Sequence, residues 1–199
     1  MLRNQLRPAI VVTLVLCLIT GAIYPAVVTG LAQILFPHQA NGSLVTANGR
    51  VVGSALIGQA FTRPEYFHPR PSAAGAGYDP TASAGTNKGP TDLKLADTLI
   101  AQSVAQVREE DGVQGPLPSD MVTRSGSGLD PDISPGNAAL QVARVAKARG
   151  VDEATVRDLV ARHTEGRQFG FFGDPRVNVL MLNLDLDAKL PAHGAHAAR

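Results

Sequence analysis

From Pro8 to Phe36 the chain reads PAIVVTLVLCLITGAIYPAVVTGLAQILF, 29 residues without an Asp, Glu, Lys or Arg. About 20 apolar residues suffice to carry a helix across a hydrocarbon layer of roughly 30 Å, so this run has length to spare. Tilt, or an extension past one interface, absorbs the excess. Arg3 and Arg7 precede the run, and the first fixed charge after it is Arg50. That asymmetry puts residues 1–7 in the cytoplasm, a transmembrane helix at 8–36 and the remainder on the far side. The same beginning also fits the charged and apolar regions of a signal peptide. Retention is the favoured reading, because the apolar stretch continues beyond Ala22 and Tyr24-Pro25 is a poor match to an A-x-A cleavage site. Ala22, Ala26 and Gly30 recur every four residues and give the helix one smooth face on which another membrane helix can pack. Pro25 lies in that stripe and is expected to bend it, with neighbouring helices satisfying the freed carbonyl.

Composition narrows what the remainder does. The 18 Lys and Arg balance 17 Asp and Glu with no basic tract, so nucleic acid is not an expected partner. Cys17 is the single cysteine, which leaves no intrachain disulfide and no Cys-based zinc site. The whole chain has 20 Gly and 14 Pro, most of them beyond the N-terminal segment, so residues 37–190 read as a turn-rich domain rather than a helical bundle. The expected fold class is therefore α+β: a single N-terminal transmembrane helix followed by one mixed α/β extracytoplasmic domain. The tail PAHGAHAAR, 191–199, is expected to be disordered, and its His193 and His196 are not read as a metal site.

Within the domain, Asn41-Gly42 and Asn48-Gly49 are turn signals flanking Leu44 and Val45, and VVGSALIGQAF (51–61) reads as a strand in which Gly53 and Gly58 mark a bulge or a close backbone approach. Residues 62–90 carry five prolines and no period, which predicts an ordered irregular loop. Its Tyr66, Phe67, Arg70 and Tyr78 either line a groove for a partner or pin the loop to its own core. Leu93, Ala96, Leu99, Ile100, Val104 and Val107 then share one face of a helix over 91–110, capped by Thr91 or Asp92 and stopped by Gly112. GPLPSDMVT passes into a possible short strand. Ser134-Pro135 begins a helix whose stripe is Ala139, Val142, Ala143 and Ala146 and whose end is Gly150. A second helix capped by Asp152 presents Val156, Leu159, Val160 and His163. In 177–186, Leu180, Leu182, Leu184 and Leu186 alternate, which predicts a strand.

The chemistry is sparse. Neither a DKTGT aspartate nor a TVGYG-like filter occurs, so the chain cannot pump or conduct ions unaided. The phosphate-loop, zinc-protease and nucleophile-elbow motifs are missing too. One stretch invites a ligand: SGSGLDPDISP (125–135), small residues ahead of a helix N-terminus, where free amides and a local dipole attract anions. Asp130 and Asp132 stand at the same mouth, repel phosphate and suit those amides themselves, so a structural role is favoured. An acidic loop that gathers cations is the other possibility.

Several blocks together resemble one family: GSALIGQAF (53–61), YFHPRPSAAGAGYDP (66–80), SAGTNKGP (83–90), SGSGLDPDISPGNAALQVARVAKARG (125–150) and GFFGDPRVNVLMLNLDL (170–186). In this order, after one N-terminal helix, they are similar to the C subunit of the Kdp-type potassium-transporting ATPase of bacteria. The resemblance implies a non-catalytic subunit in the inner membrane, assembled with a channel-like potassium-translocating subunit, a P-type ATPase subunit and a small one-helix subunit. It implies no cofactor of the chain's own, with ATP entering through the complex. A second role is also implied: a nucleotide-binding chaperone that raises the ATPase subunit's affinity for ATP, with Ser125, Gly126, Ser127, Gly128 and Gln141 as candidate contacts. That role conflicts with a domain outside the cytoplasm. A secreted enzyme or solute-binding protein follows only if the leader is cleaved. Lys88 departs from the family's SGGSNLGP pattern by placing a charge at an apolar position, which puts a partner contact through that loop in doubt.

Overall fold

The structure, a computed structural model, describes residues 2–190, so the tail and its two histidines lie outside the described residues. The chain divides after Leu44 into two compact units.

The first unit is dominated by one continuous helix: α1 (Leu2–Leu18), a π-helical segment (Ile19–Ile23) and α2 (Tyr24–Leu35). Asn4–Leu35, 32 residues with a mean hydropathy of 2.4, is long and apolar enough to cross a membrane and is unburied. At 1.5 Å per residue it measures about 48 Å, so it exceeds the hydrocarbon layer as the sequence predicts. A π turn accompanies Pro25 in this helix. A proline ring strikes the carbonyl four residues earlier, and the wider π turn lies directly before it, with the Tyr24 amide donating to Ile19 O, five residues back. Thr20 Oγ1 adds a bond to Leu16 O at 2.7 Å. The short α3 (Pro37–Ala40) follows.

At the start of the second unit stands a hairpin, β1 (Leu44–Ala47, its first residue counted with the first unit) and β2 (Arg50–Ser54), turned by Asn48-Gly49 with φ of 51° and 75°. The strand expected over 51–61 stops at Ser54, whose hydroxyl accepts the Leu56 amide and begins a turn. Beyond it the chain is held from outside the hairpin: the Gly58 amide donates to Leu129 O at 2.9 Å, and a Cβ on Gly58 would lie 2.5 Å from Asp130 O. Gly58 thus makes the close backbone approach the sequence predicts.

The helix expected over 91–110 exists as a π-helical segment (Lys94–Ile100) running into α4 (Ala101–Asp111) and ending at Gly112. Asp92 Oδ1 accepts the Lys94 amide at 2.8 Å. Its packed face differs at the start, because Leu93 is 74% exposed and Ala96 is exposed while Leu95 turns inward beside Leu99 and Ile100. The wider π turn shifts the register on which the helical spacing was counted. Where a short strand was expected after Pro118, α5 (Ser119–Val122) forms instead, closed by Thr123 Oγ1 donating to Ser119 O.

The core is built last in the chain. β3 (Asp132–Ile133), α6 (Pro135–Arg149), α7 (Glu153–Arg162), β4 (Thr164–Glu165), β5 (Arg176–Asn178) and α8 (Val179–Lys189) complete the unit. The three strands form an antiparallel sheet in the order β3-β5-β4, with Ile133 opposite Val177 and Thr164 opposite Val177. α6 runs from a Ser134 cap to Gly150, and Asp152 caps α7 by accepting the Ala154 amide. The inward face of α6 is Ala138, Gln141, Val142, Val145, Ala146 and Arg149; Ala139 and Ala143, expected in the stripe, are exposed. The strand expected at 177–186 is mostly a helix. Asn178 Oδ1 accepts the Met181 amide and starts α8, after which Val179, Leu182, Asn183 and Leu186 are buried at helical spacing. These side chains meet Val142, Val145, Val156, Leu159 and Phe67, and each large one contributes about 1.5–3 kcal/mol by leaving water.

Candidate functional site

Phe67 belongs to an irregular segment, yet it is fully buried between α6 and α8. A buried irregular segment without a sheet partner must find other bonds for its amides and carbonyls. Side-chain amides supply them. Asn183 Oδ1 accepts the Phe67 amide and its Nδ2 donates to Phe67 O, both at 2.9 Å. Gln141 repeats the arrangement one residue on, accepting the His68 amide at 2.7 Å and donating to His68 O at 3.0 Å. Arg144 donates to Pro64 O and Tyr66 O, and Arg149 to Glu65 O at 2.7 Å. Residues 64–68 are thereby gripped by four side chains of α6 and α8.

The other predicted residues fasten the same loop. Tyr66 Oη donates to Asp187 Oδ2 at 2.9 Å, and the guanidinium carbons of Arg63 and Arg149 stand 4.9 and 5.2 Å from its ring centroid. Burial, then the Asp187 carboxylate, pushes its phenol above the ordinary value. Arg70 pairs with Asp130 at 2.9 Å, and Tyr78 Oη donates to Arg70 O at 2.6 Å, with burial pushing that phenol up to about 12. For Phe67 the structure matches the second of the two alternatives, pinning the loop to its own core, because its ring is enclosed there.

SGSG is packed between two other turns. Ser127 O accepts from the Ala84 amide and Ser83 Oγ, while Gly128 O accepts from Ser72 Oγ at 2.6 Å. Gly128 has φ +67°, and a Cβ there would lie 2.6 Å from both Ala74 N and Ala84 O. Its small size serves chain-to-chain contact rather than ligand approach. Ser125 is buried, whereas Gly126 and Ser127 are exposed and a Cβ on Gly126 would meet open space.

At the mouth of α6 the sequence reading named the wrong acid. Asp120, not Asp130 or Asp132, takes the helix entrance, its carboxylate accepting the Ser134 amide at 2.8 Å, Ser134 Oγ at 3.0 Å and Asn137 Nδ2 at 3.1 Å. Asp130 bonds the Asp132 amide and Arg70. Asp132 pairs with Arg176 at 3.2 Å, and burial, offset in part by that arginine, raises its carboxyl above the usual range. Nothing local flags Asp120, which lies fourteen residues before its partner on a four-residue helix. Asp120→Ala is expected to destabilise the domain by about 2 kcal/mol, read as a lowered midpoint in thermal denaturation.

A cavity of about 340 Å³ opens beside the gripped loop, lined among others by His68, Tyr78, Gln102, Glu110, Arg124 and Gln141. Gln141 reaches it; Ser125 to Gly128 do not, so the five predicted nucleotide contacts are not brought to one cavity. Burial first, then Arg144, holds the His68 imidazole below its ordinary pKa and therefore neutral near pH 7.

Residues 6–188 match the family model described as the c chain of a K+-transporting ATPase. The chain belongs to the KdpC family. It is 66% identical over 186 residues to the potassium-transporting ATPase KdpC subunit of Gemmatimonas aurantiaca, with 93% of each chain covered. It is 53% identical over 190 residues to that of Koribacter versatilis, covering 96% of this chain and 97% of the relative. With the subunit of Myxococcus xanthus it shares 59% over 180 residues, 90% and 84% of the two chains. In this KdpC-family chain the blocks that carry the resemblance are the blocks that interlock: 53–61 meets 125–130 through Gly58, and 66–80 meets α6 and α8 through the amide grip.

Proposed function

We propose that the chain is a non-catalytic assembly and stabilising subunit of an ATP-driven potassium-uptake complex in the bacterial inner membrane. Its expected companions are a channel-like potassium-translocating subunit, a P-type ATPase subunit and a small one-helix subunit, with lipid around its single span. The match over residues 6–188 carries this reading. The N-terminus is cytoplasmic and the domain lies outside, on the evidence of Arg3 and Arg7 before the span and no fixed charge after it until Arg50.

The alternative role, a nucleotide-binding chaperone, draws on Gln141 in the cavity wall. Two features favour assembly over it. Every hydrogen-bonding position of Gln141 is engaged within the chain, by His68 twice, Asn137 and Arg144. The cavity also sets Glu110 and Asp111 against a single arginine, Arg124, which is the wrong balance for a polyphosphate. In this reading ATP acts on the ATPase subunit.

Topology gives the direct test. With Cys17 replaced by serine and a cysteine placed at the exposed Ala148, a membrane-impermeant maleimide is expected to label intact spheroplasts fully. Labelling that appears only after lysis places the domain with the cell's nucleotides and overturns the assignment.

A further inference from the structure

The turn between β4 and β5 exposes three phenylalanines that the core does not use. Phe169, Phe171 and Phe172 are 88%, 64% and 58% exposed, and the last two rings lie 4.2 Å apart between centroids. Together they present on the order of 400 Å² of aromatic surface, in the range of the largest apolar patches on monomeric proteins. The tip is ordered rather than loose. Gln168 and Phe172 exchange two backbone hydrogen bonds at 2.9 Å, and the Gly170 amide donates to Arg167 O at 3.1 Å. Phe169 sits at φ +53°, a conformation a bulky residue holds only when its surroundings impose it.

We propose that residues 167–174 form an aromatic plug that seats in an apolar, uncharged pocket on another subunit of the same complex; this inference rests on the assembly role proposed above. The charges decide the kind of partner. Gln168 to Gly173 carry none, and Arg167 at the base is neutralised by Asp174 at 2.9 Å. Arg176 is taken by Glu165 at 2.8 Å and Asp132 at 3.2 Å. Neither neighbouring cation is free for anionic lipid headgroups, and the tip lacks the Trp and Tyr that mark membrane interfaces. Lipid, moreover, demands no fixed geometry. A strained, hydrogen-bonded tip held by the core sheet is preorganised, which suits aromatic anchors entering a shaped pocket.

The test uses the full chain co-expressed with its complex. A photoreactive benzoylphenylalanine in place of Phe171 is expected to crosslink to another subunit; crosslinks to lipid alone, or only to a second copy of this chain, overturn the inference. In parallel, the F169S/F171S/F172S variant, tagged and purified in detergent, is expected to recover its partner subunits at least about tenfold less well than wild type. Its melting midpoint should stay within about 2 °C of wild type, since these rings lie outside the core cluster. Wild-type recovery by the variant sinks the plug alone, whereas a wild-type chain that recovers no subunits sinks the assembly role with it.

Discussion

Arg149→Ala is expected to lower the melting midpoint of the domain by about 6–20 °C. Arg149 is fully buried, and all three of its guanidinium nitrogens are used: Nε on Glu65 O, Nη1 on Leu190 O and Nη2 on Asp187, each within 2.8 Å. It therefore ties the gripped loop, the end of α8 and the side of α6 to one point. Truncation removes those bonds, opens a cavity and leaves two carbonyls without donors. Breaking a buried charged cluster from one side costs about 3–5 kcal/mol, against a typical total stability of about 5–15 kcal/mol. Arg149→Lys keeps the charge but not the three-way fork, so it should recover less than half of the loss. Thermal unfolding of the purified full chain, followed by far-UV circular dichroism, measures both. A midpoint for the alanine variant within about 2 °C of wild type would show that the grip on 64–68 does not support the fold.

This centre of the domain was also the least legible part of the sequence. Elements governed by local chemistry are where the residues predict them: the Asn48-Gly49 turn, the Ser134 and Asp152 caps, and the stops at Gly112 and Gly150. Failures came where polar side chains do the work of a core. Counting apolar residues on α6 selected Ala139 and Ala143, because the face that is buried carries Asn137, Gln141 and Arg149, which hydrophobic periodicity scores as solvent-facing.

The leucine run after Val177 failed for a different reason. Four leucines at alternate positions satisfy a strand, but Val179, Leu182, Asn183 and Leu186 satisfy a helix equally well, and Asn178 at its start can cap one. Burial of Asn183 opposite Phe67, 116 residues away, is a tertiary fact with no local trace. The same holds for the candidate nucleotide residues. Small residues before a helix announce either an anion site or close packing, and only the positions of Ala74 and Ala84 against Gly128 distinguish the two.

Gln141→Leu separates the remaining two accounts of the domain. In the structure Gln141 is 2% exposed, and its amide pairs both with the backbone of His68 and with Asn137 and Arg144. Leucine fills a similar volume but leaves the His68 amide and carbonyl, one Asn137 oxygen and one arginine nitrogen without partners. The expected cost is about 3 kcal/mol, seen as a midpoint about 6–12 °C lower. Gln141→Glu should fall in the same direction, because a carboxylate facing His68 O and Asn137 Oδ1 sets acceptors against acceptors. A fastening residue predicts that nucleotide affinity of the assembled complex, measured below both midpoints, stays at the wild-type value. A nucleotide contact predicts the reverse: an unchanged midpoint with weakened ATP binding. Because each account moves a different measurement and leaves the other unchanged, one pair of variants is enough to decide whether Gln141 fastens the domain or contacts nucleotide.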